Sequence, residues 1–252
     1  MTKETLISSF EEKHRELELA LQGDDIGCIR KLTLDVHAMV HPAEVSGKAE
    51  KTMADYVLDY MMEGHQNDLV PRENWEEDLH YAGTNTVPMC WQFWHTYRIE
   101  DLVSNILMAN QNQLFDDEWQ KRIDVNITDT GNALELDEAI SFAKGINVEA
   151  LREYMIAVGK NTRCILEGLS LKQIKSMAPA TWVMRILEEG GVTTDFRSVW
   201  LLVEIDKRRN DFDSDDRTPY DAFATLPESF TNIAIKMLID NSKYEIICFT
   251  NV

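Results

Sequence analysis

Histidine is the side chain most often used to bind metals and to transfer protons near neutral pH, and it is unevenly distributed along this chain. All six histidines lie within the first 95 of the 252 residues. A histidine-based site must therefore be built from the N-terminal part of the sequence. His14, His65 and His80 stand among charged or turn-forming residues and are predicted to lie on the surface. The other three are the candidates for chemistry.

His37 and His41 stand four residues apart on a predicted helix. This spacing places two imidazoles on the same side of a helix, where both can bind one ion. At 100° per residue they lie roughly 100° and 140° from Val36, at the flank of the apolar stripe. Two interpretations stay open for the pair: metal ligands at the edge of a bundle, or boundary histidines that contact carboxylates.

His95 lies in the middle of an apolar helical stripe that includes Trp91, Leu102 and Ile106, so its ring is expected to point inward. An unpaired buried polar group costs on the order of 1–3 kcal/mol, so the ring needs hydrogen-bond partners or a metal. It is either a metal ligand or a core histidine paired with a carboxylate or a carbonyl. The acidic pair at 100–101, about one turn further along, could orient a ligating imidazole by accepting a hydrogen bond from its second ring nitrogen.

Apolar residues recur at helical spacing along most of the chain, between capping residues and helix breakers. The predicted helices cover about 4–22, 26–41, 48–63, 88–112, 116–124, 135–144, 147–168, a short turn from 170, 180–189 and 196–209. After residue 209 the helical pattern weakens, and the terminal YEIICFTNV resembles a strand more than a helix. The sequence predicts one all-α domain over 1–252, with a bundle over about 1–205 and an irregular tail over about 206–252.

The charge balance excludes several classes of partner. The chain carries 25 Lys and Arg against 44 Asp and Glu, a net charge of −19. Nucleic acids and anionic lipid surfaces attract clustered cations, so neither is an expected partner. No apolar run approaches the roughly 18 residues that a membrane-spanning helix needs, and the N-terminus is too charged for a signal peptide. With four cysteines far apart and no CxxC pair, a cytoplasmic protein with reduced thiols is expected.

Two segments resemble the DinB/YfiT-like superfamily: WQFWHTYRIEDLVSNIL at 91–107 and VHAMVHPAEVSGKAEKT at 36–52. In that superfamily a Trp-His pair precedes an Arg and an acidic residue on a signature helix. The likeness covers roughly residues 30–190. It implies a four-helix bundle with additional helices, often dimeric, that holds a divalent metal on three inward histidines. Characterised relatives include thiol-dependent transferases and isomerases, in which the metal activates a low-molecular-weight thiol.

The resemblance also implies site residues. His95 matches the histidine of the signature helix, and the family's other two histidines come from a late HxxxH motif. The nearest counterpart here is the stretch 220–228, in which Asp221 and Thr225 stand where the histidines should be. A carboxylate can ligate Zn²⁺, whereas threonine rarely does. The candidate ligands for Zn²⁺ or Ni²⁺ are therefore His95 and Asp221, with His37 and His41 as substitutes.

Two functions follow from these observations. The first is a metal-dependent enzyme, similar to a thiol transferase or hydrolase, which acts on a small-molecule thiol or another small ligand as a homodimer. The second is a non-catalytic bundle with a binding or regulatory role that has lost the metal site. The inward His95 favours the first, and the lack of any histidine after residue 95 favours the second.

Overall fold

The computed structural model describes residues 2–71, 86–175, 180–190 and 243–250, and helices make up most of these residues. The prediction of a mainly helical protein is confirmed. Two short segments, Met61–His65 and Val103–Met108, are π-helical. The α-helices are α1 (Lys3–Ala20), α2 (Ile26–Val40), α3 (Ala43–Ser46), α4 (Met53–Tyr60), α5 (Met89–Leu102), α6 (Asp117–Ile123), α7 (Leu136–Gly145), α8 (Val148–Gly168), α9 (Leu171–Ile174), α10 (Ala180–Glu188) and α11 (Lys243–Thr250).

The two ends of α2 form where capping and proline chemistry predict. The Asp25 side chain accepts a hydrogen bond of 3.0 Å from the backbone N–H of Cys28, which satisfies one of the free donors of the first turn. At the other end, His41 is already extended because Pro42 follows it. The side chains of Ile29 and Val36 are buried, and this apolar face packs against α1 and α8.

The core is built around α5. Every residue of α5 is buried, as is every residue of the π-helical turn that continues it. Its first two free amides, on Met89 and Cys90, donate to the carbonyls of Asp68 and Gln66 at 2.9 and 3.0 Å. The helix packs against α7, α8 and α11. A helix buried on all sides is what a sequence apolar on most of its circumference predicts.

The stretch between the predicted helices at 48–63 and 88–112 contains the first strand of a small ribbon. Strand β1 (Leu69–Pro71) pairs antiparallel with β2 (Thr86–Pro88), and Val70 lies opposite Val87. Both valines are buried. The sequence does not predict this ribbon, because each strand is only three residues long, which is too short to show an alternating pattern.

The strand-like prediction for the chain end is wrong, because residues Lys243–Thr250 form α11. The β-branched and aromatic residues of this segment favour a strand locally, but tertiary packing decides. Cys248 and Phe249 are buried, and α11 contacts α4 and α5. The rest of the predicted tail, and the predicted helix at 196–209, fall outside the described residues. Among the residues that are described, no helix has the length and apolar character needed to cross a membrane.

Candidate metal centre

Helices α2 and α5 bring three potential ligands together in the core. His37 on α2 and His41, the residue that directly follows α2, project toward Glu100 of α5. The Nε2 atom of His37 lies 3.2 Å from Oε1 of Glu100, and Nε2 of His41 lies 2.6 Å from Oε2. The three residues are 6%, 2% and 3% exposed, so the helix edge predicted for the histidine pair is in fact interior.

The hydrogen bonds of His41 define where its protons are. Its Nδ1 lies 2.9 Å from the carbonyl oxygen of His37, and since a carbonyl only accepts, Nδ1 carries a hydrogen. Its Nε2 faces a carboxylate oxygen at 2.6 Å, where two bare lone pairs would repel. A proton or another cation must therefore lie between His41 and Glu100.

The buried environment shifts the pKa values of the other two groups. For His37, burial and then the neighbouring charge of His41 lower the pKa from 6.5 to about 4. For Glu100, burial alone would raise the pKa, but the contacts with His41 and His37 outweigh it and hold the pKa below its ordinary value. At neutral pH the site thus contains an ionised carboxylate and a neutral His37, the forms in which these side chains bind metals.

The donor set fits a divalent ion. One ligand atom from each of the three residues lies within 4.8 Å of the others. Ligands at 2.0–2.1 Å around a tetrahedral Zn²⁺ are about 3.3 Å apart. The contact of 3.2 Å between His37 and Glu100 already matches that spacing, whereas the contact of 2.6 Å to His41 must open by about 0.7 Å.

The two imidazole rings would also have to tilt apart, because a donor lone pair lies in its ring plane. They are stacked at present, with centroids 3.6 Å apart and planes at 11°. The rings of Tyr97 and His41 are T-shaped, with centroids 5.2 Å apart and planes at 77°. A ligating histidine usually donates its second N–H to a carbonyl or carboxylate, as His41 does. Nδ1 of His37 has no hydrogen-bond partner within the described part of the chain.

His95 does not join this group. It is buried, and its Nδ1 donates to the carbonyl of Thr130 at 2.9 Å while the ring stacks on Trp91 with centroids 4.9 Å apart. A carbonyl partner for this nitrogen fits both interpretations, a core histidine and a metal ligand whose second N–H is held by a carbonyl, so His95 as a ligand stays a prediction. Asp221, the other ligand suggested by the resemblance, lies outside the described residues, so its part in a metal site stays a prediction.

A second buried polar cluster lies next to the first on α5. Asp101 and Arg98 are completely buried and form an ion pair at 3.2 Å. Arg98 also donates to the carbonyl of Thr128 at 2.9 Å and covers the ring of Phe115, with its guanidinium carbon 4.3 Å from the centroid. The other donors to the Asp101 carboxylate are Tyr154 Oη (2.6 Å), Asn105 Nδ2 (2.7 Å) and the backbone amides of Leu114 (2.8 Å) and Phe115 (2.9 Å).

Glu100 and Asp101, predicted to orient the imidazole of His95, contact other side chains in the structure: Glu100 contacts His37 and His41, and Asp101 pairs with Arg98. The available signal was the charge itself. A carboxylate in a helix that is apolar all round must be buried, and a buried charge needs a partner of opposite charge or a metal. Adjacent residues in a helix point about 100° apart, so Glu100 and Asp101 serve different partners.

Comparisons of the chain with protein-family models, with curated proteins and with solved structures found no significant match.

Proposed function

We propose that this protein binds one divalent metal ion between α2 and α5, with His37, His41 and Glu100 as ligands. The observation that carries the proposal is the convergence of two imidazole nitrogens and one carboxylate oxygen within 4.8 Å in the protein interior. Two histidines and a glutamate are a known ligand set of catalytic zinc sites, which leave a fourth coordination position open.

The short contact between His41 and Glu100 supports the same proposal. A positive charge is needed between these two atoms, and a metal ion can replace the proton that otherwise supplies it. The HxxxH spacing at the end of α2 lets both imidazoles reach the ion from one segment, while Glu100 comes from α5. This ligand set differs from the one that the DinB-like resemblance implies, because it draws on neither His95 nor a late HxxxH motif.

Metal analysis of the full chain, expressed without a polyhistidine tag, tests the proposal. We expect one Zn²⁺ or Ni²⁺ per chain, lost in Glu100→Gln and His37→Ala. His65→Ala is the matched control, because His65 is exposed and also contacts a carboxylate, that of Asp68 at 3.2 Å. His95→Ala separates the two ligand sets and should retain the metal. A folded protein without metal, or a metal content unchanged by Glu100→Gln, would refute the proposed site.

We also propose a chemical class for the function, that of a DinB-like, thiol-dependent transferase or hydrolase. A bound divalent ion lowers the pKa of a coordinated water or thiol and so supplies a nucleophile near neutral pH. The mainly helical fold and a set of three protein ligands, which a water or thiol would complete around a tetrahedral ion, support this class.

An assay with added thiol distinguishes the enzyme from the non-catalytic bundle. The metal-loaded protein is incubated with cysteine or glutathione and an electrophile such as 1-chloro-2,4-dinitrobenzene, with Glu100→Gln as control. Thiol conjugation that depends on both the metal and Glu100 supports the enzyme. A folded protein that binds metal but accelerates no conjugation favours the binding or regulatory role.

A further inference from the structure

Gly159 lies in the middle of α8, at a position where glycine is unfavourable. The helix runs for 21 residues from Val148 to Gly168. A glycine within a helix is less stable than alanine because it loses more backbone freedom on folding and contributes no side chain. Neither helix propensity nor a positive φ explains the residue, since Gly159 is absent from the glycines with left-handed backbone.

The neighbours of Gly159 supply a reason. A Cβ atom at this position would lie 2.7 Å from Cδ2 of His41, and 3.0 and 3.1 Å from the two methyl carbons of Val45. Distances below 3.0 Å do not occur for real Cβ atoms, so the imidazole or the helix would have to move. The backbone of α8 therefore lies directly against the ring edge of His41.

The freedom of the His41 ring to move is limited on its other sides. One face stacks on His37, Nδ1 is tied to the carbonyl of His37, and Nε2 contacts Glu100. The ring of Tyr97 also packs against that of His41 in a T-shaped pair. A methyl group at 159 would thus push the imidazole against groups that hold Nε2 in the ligand cluster.

We infer that Gly159 is a positioning residue of the metal centre: its missing side chain lets α8 hold the His41 imidazole where Nε2 meets Glu100 and the ion. The expected effect on metal binding rests on the proposed function. The contact between α8 and His41 does not, and it can be tested in the metal-free protein.

Gly159→Ala is the test, and Gly168→Ala is the matched control. Gly168 is the last residue of the same helix, and no atom lies within 4 Å of the Cβ it would acquire. Altered support of a metal ligand typically weakens binding 10- to 100-fold, and we expect a loss in this range for Gly159→Ala and none for Gly168→Ala. The dissociation constant is measured for Co²⁺ by competition with a chromophoric chelator. The Co²⁺ absorption spectrum should also change, which a general loss of stability would not cause.

A second pair of variants covers the case in which Gly159→Ala does not fold. Val45→Ala removes two of the three close contacts, so the double variant Val45→Ala/Gly159→Ala retains only the contact with His41. We expect the double variant to bind Co²⁺ at least 10-fold more weakly than Val45→Ala alone. Equal affinity and an unchanged spectrum in these paired comparisons would overturn the inference.

Failure of the inference and failure of the proposed function give different results. If the wild-type protein binds no metal, the proposed function is wrong, and the position of His41 is then followed by the ¹⁵N chemical shifts of its ring in the metal-free protein. Those shifts should differ from wild type in Gly159→Ala, or in the double variant relative to Val45→Ala, and not in Gly168→Ala. Unchanged shifts would overturn the assignment of Gly159 as well.

Discussion

Replacing Asp101 by asparagine removes one charge from the centre of the protein and leaves the shape of the side chain almost unchanged. Asp101 and its ion-pair partner Arg98 are both fully buried. Breaking a buried pair by removing one charge typically costs about 3–5 kcal/mol, because the remaining charge has no counter-ion and no water. We therefore expect Asp101→Asn to lower the free energy of unfolding by about 3–5 kcal/mol.

The hydrogen bonds lead to the same magnitude. Oδ1 of Asp101 accepts from Asn105 and the Leu114 amide, and Oδ2 accepts from Arg98, Tyr154 and the Phe115 amide. An asparagine has one oxygen, so its NH₂ group must face at least two donors whichever way the amide turns. Losing two hydrogen bonds to a charged group, at about 1.5–3 kcal/mol each, costs at least about 3 kcal/mol.

Urea denaturation followed by far-ultraviolet circular dichroism measures this loss, with an unchanged m-value as the sign that the denatured state is the same. Glu153→Gln is the control on an exposed ion pair with Arg122, and it should change stability by less than about 1 kcal/mol. Tyr154→Phe removes one donor and should cost about 2 kcal/mol. If Asp101→Asn stays within about 1 kcal/mol of wild type, the burial and pairing described for this cluster are wrong.

Two further predictions concern pH and backbone conformation. In EDTA, the lowered pKa of His37, about 4 against 6.5, means that the unfolded chain binds a proton that the folded chain does not. This contribution to the free energy of unfolding is complete above pH 6.5 and is lost as the pH falls toward 4. Urea titrations should show a decrease of about 2 kcal/mol between pH 7 and pH 5. His37→Gln should remove that dependence, and an equal pH dependence in both proteins would contradict the shift. Gly131→Ala should lower the free energy of unfolding more than Gly47→Ala does. Both positions have positive φ, but only the Cβ at 131 would meet Trp91, at 2.9 Å from Nε1. Equal losses of stability would contradict the close contact.

Local signals predicted the helices well where strong caps and breakers are present. Asp25 and Asn147 each accept a hydrogen bond from the first turn of a helix, and they lie at the starts of the helices predicted over 26–41 and 147–168. The segment 243–250 could not be assigned in this way, because its residues prefer strands and only the burial of Cys248 and Phe249 against other helices makes it helical.

Only part of the candidate site could be predicted from the sequence. The spacing of His37 and His41 indicated that both rings could meet one partner, and the structure brings them together. That this partner is Glu100 depends on how α2 and α5 pack, which helical periodicity within one segment does not determine. The contact of Gly159 with His41 likewise joins residues 118 positions apart in the sequence. Contacts between residues so far apart cannot be predicted from the local sequence.

The complete burial of α5 constrains how the chain can change in length. Insertion of one residue ahead of Glu100 would rotate the preceding part of the helix by about 100° relative to the two carboxylates, and no exposed face exists to absorb the change. A deletion would have the same effect in the opposite sense. Natural length variants of this protein are therefore expected to differ in the connections on either side, such as 109–116 after the π-helical turn Val103–Met108, and to keep the spacing within α5 unchanged.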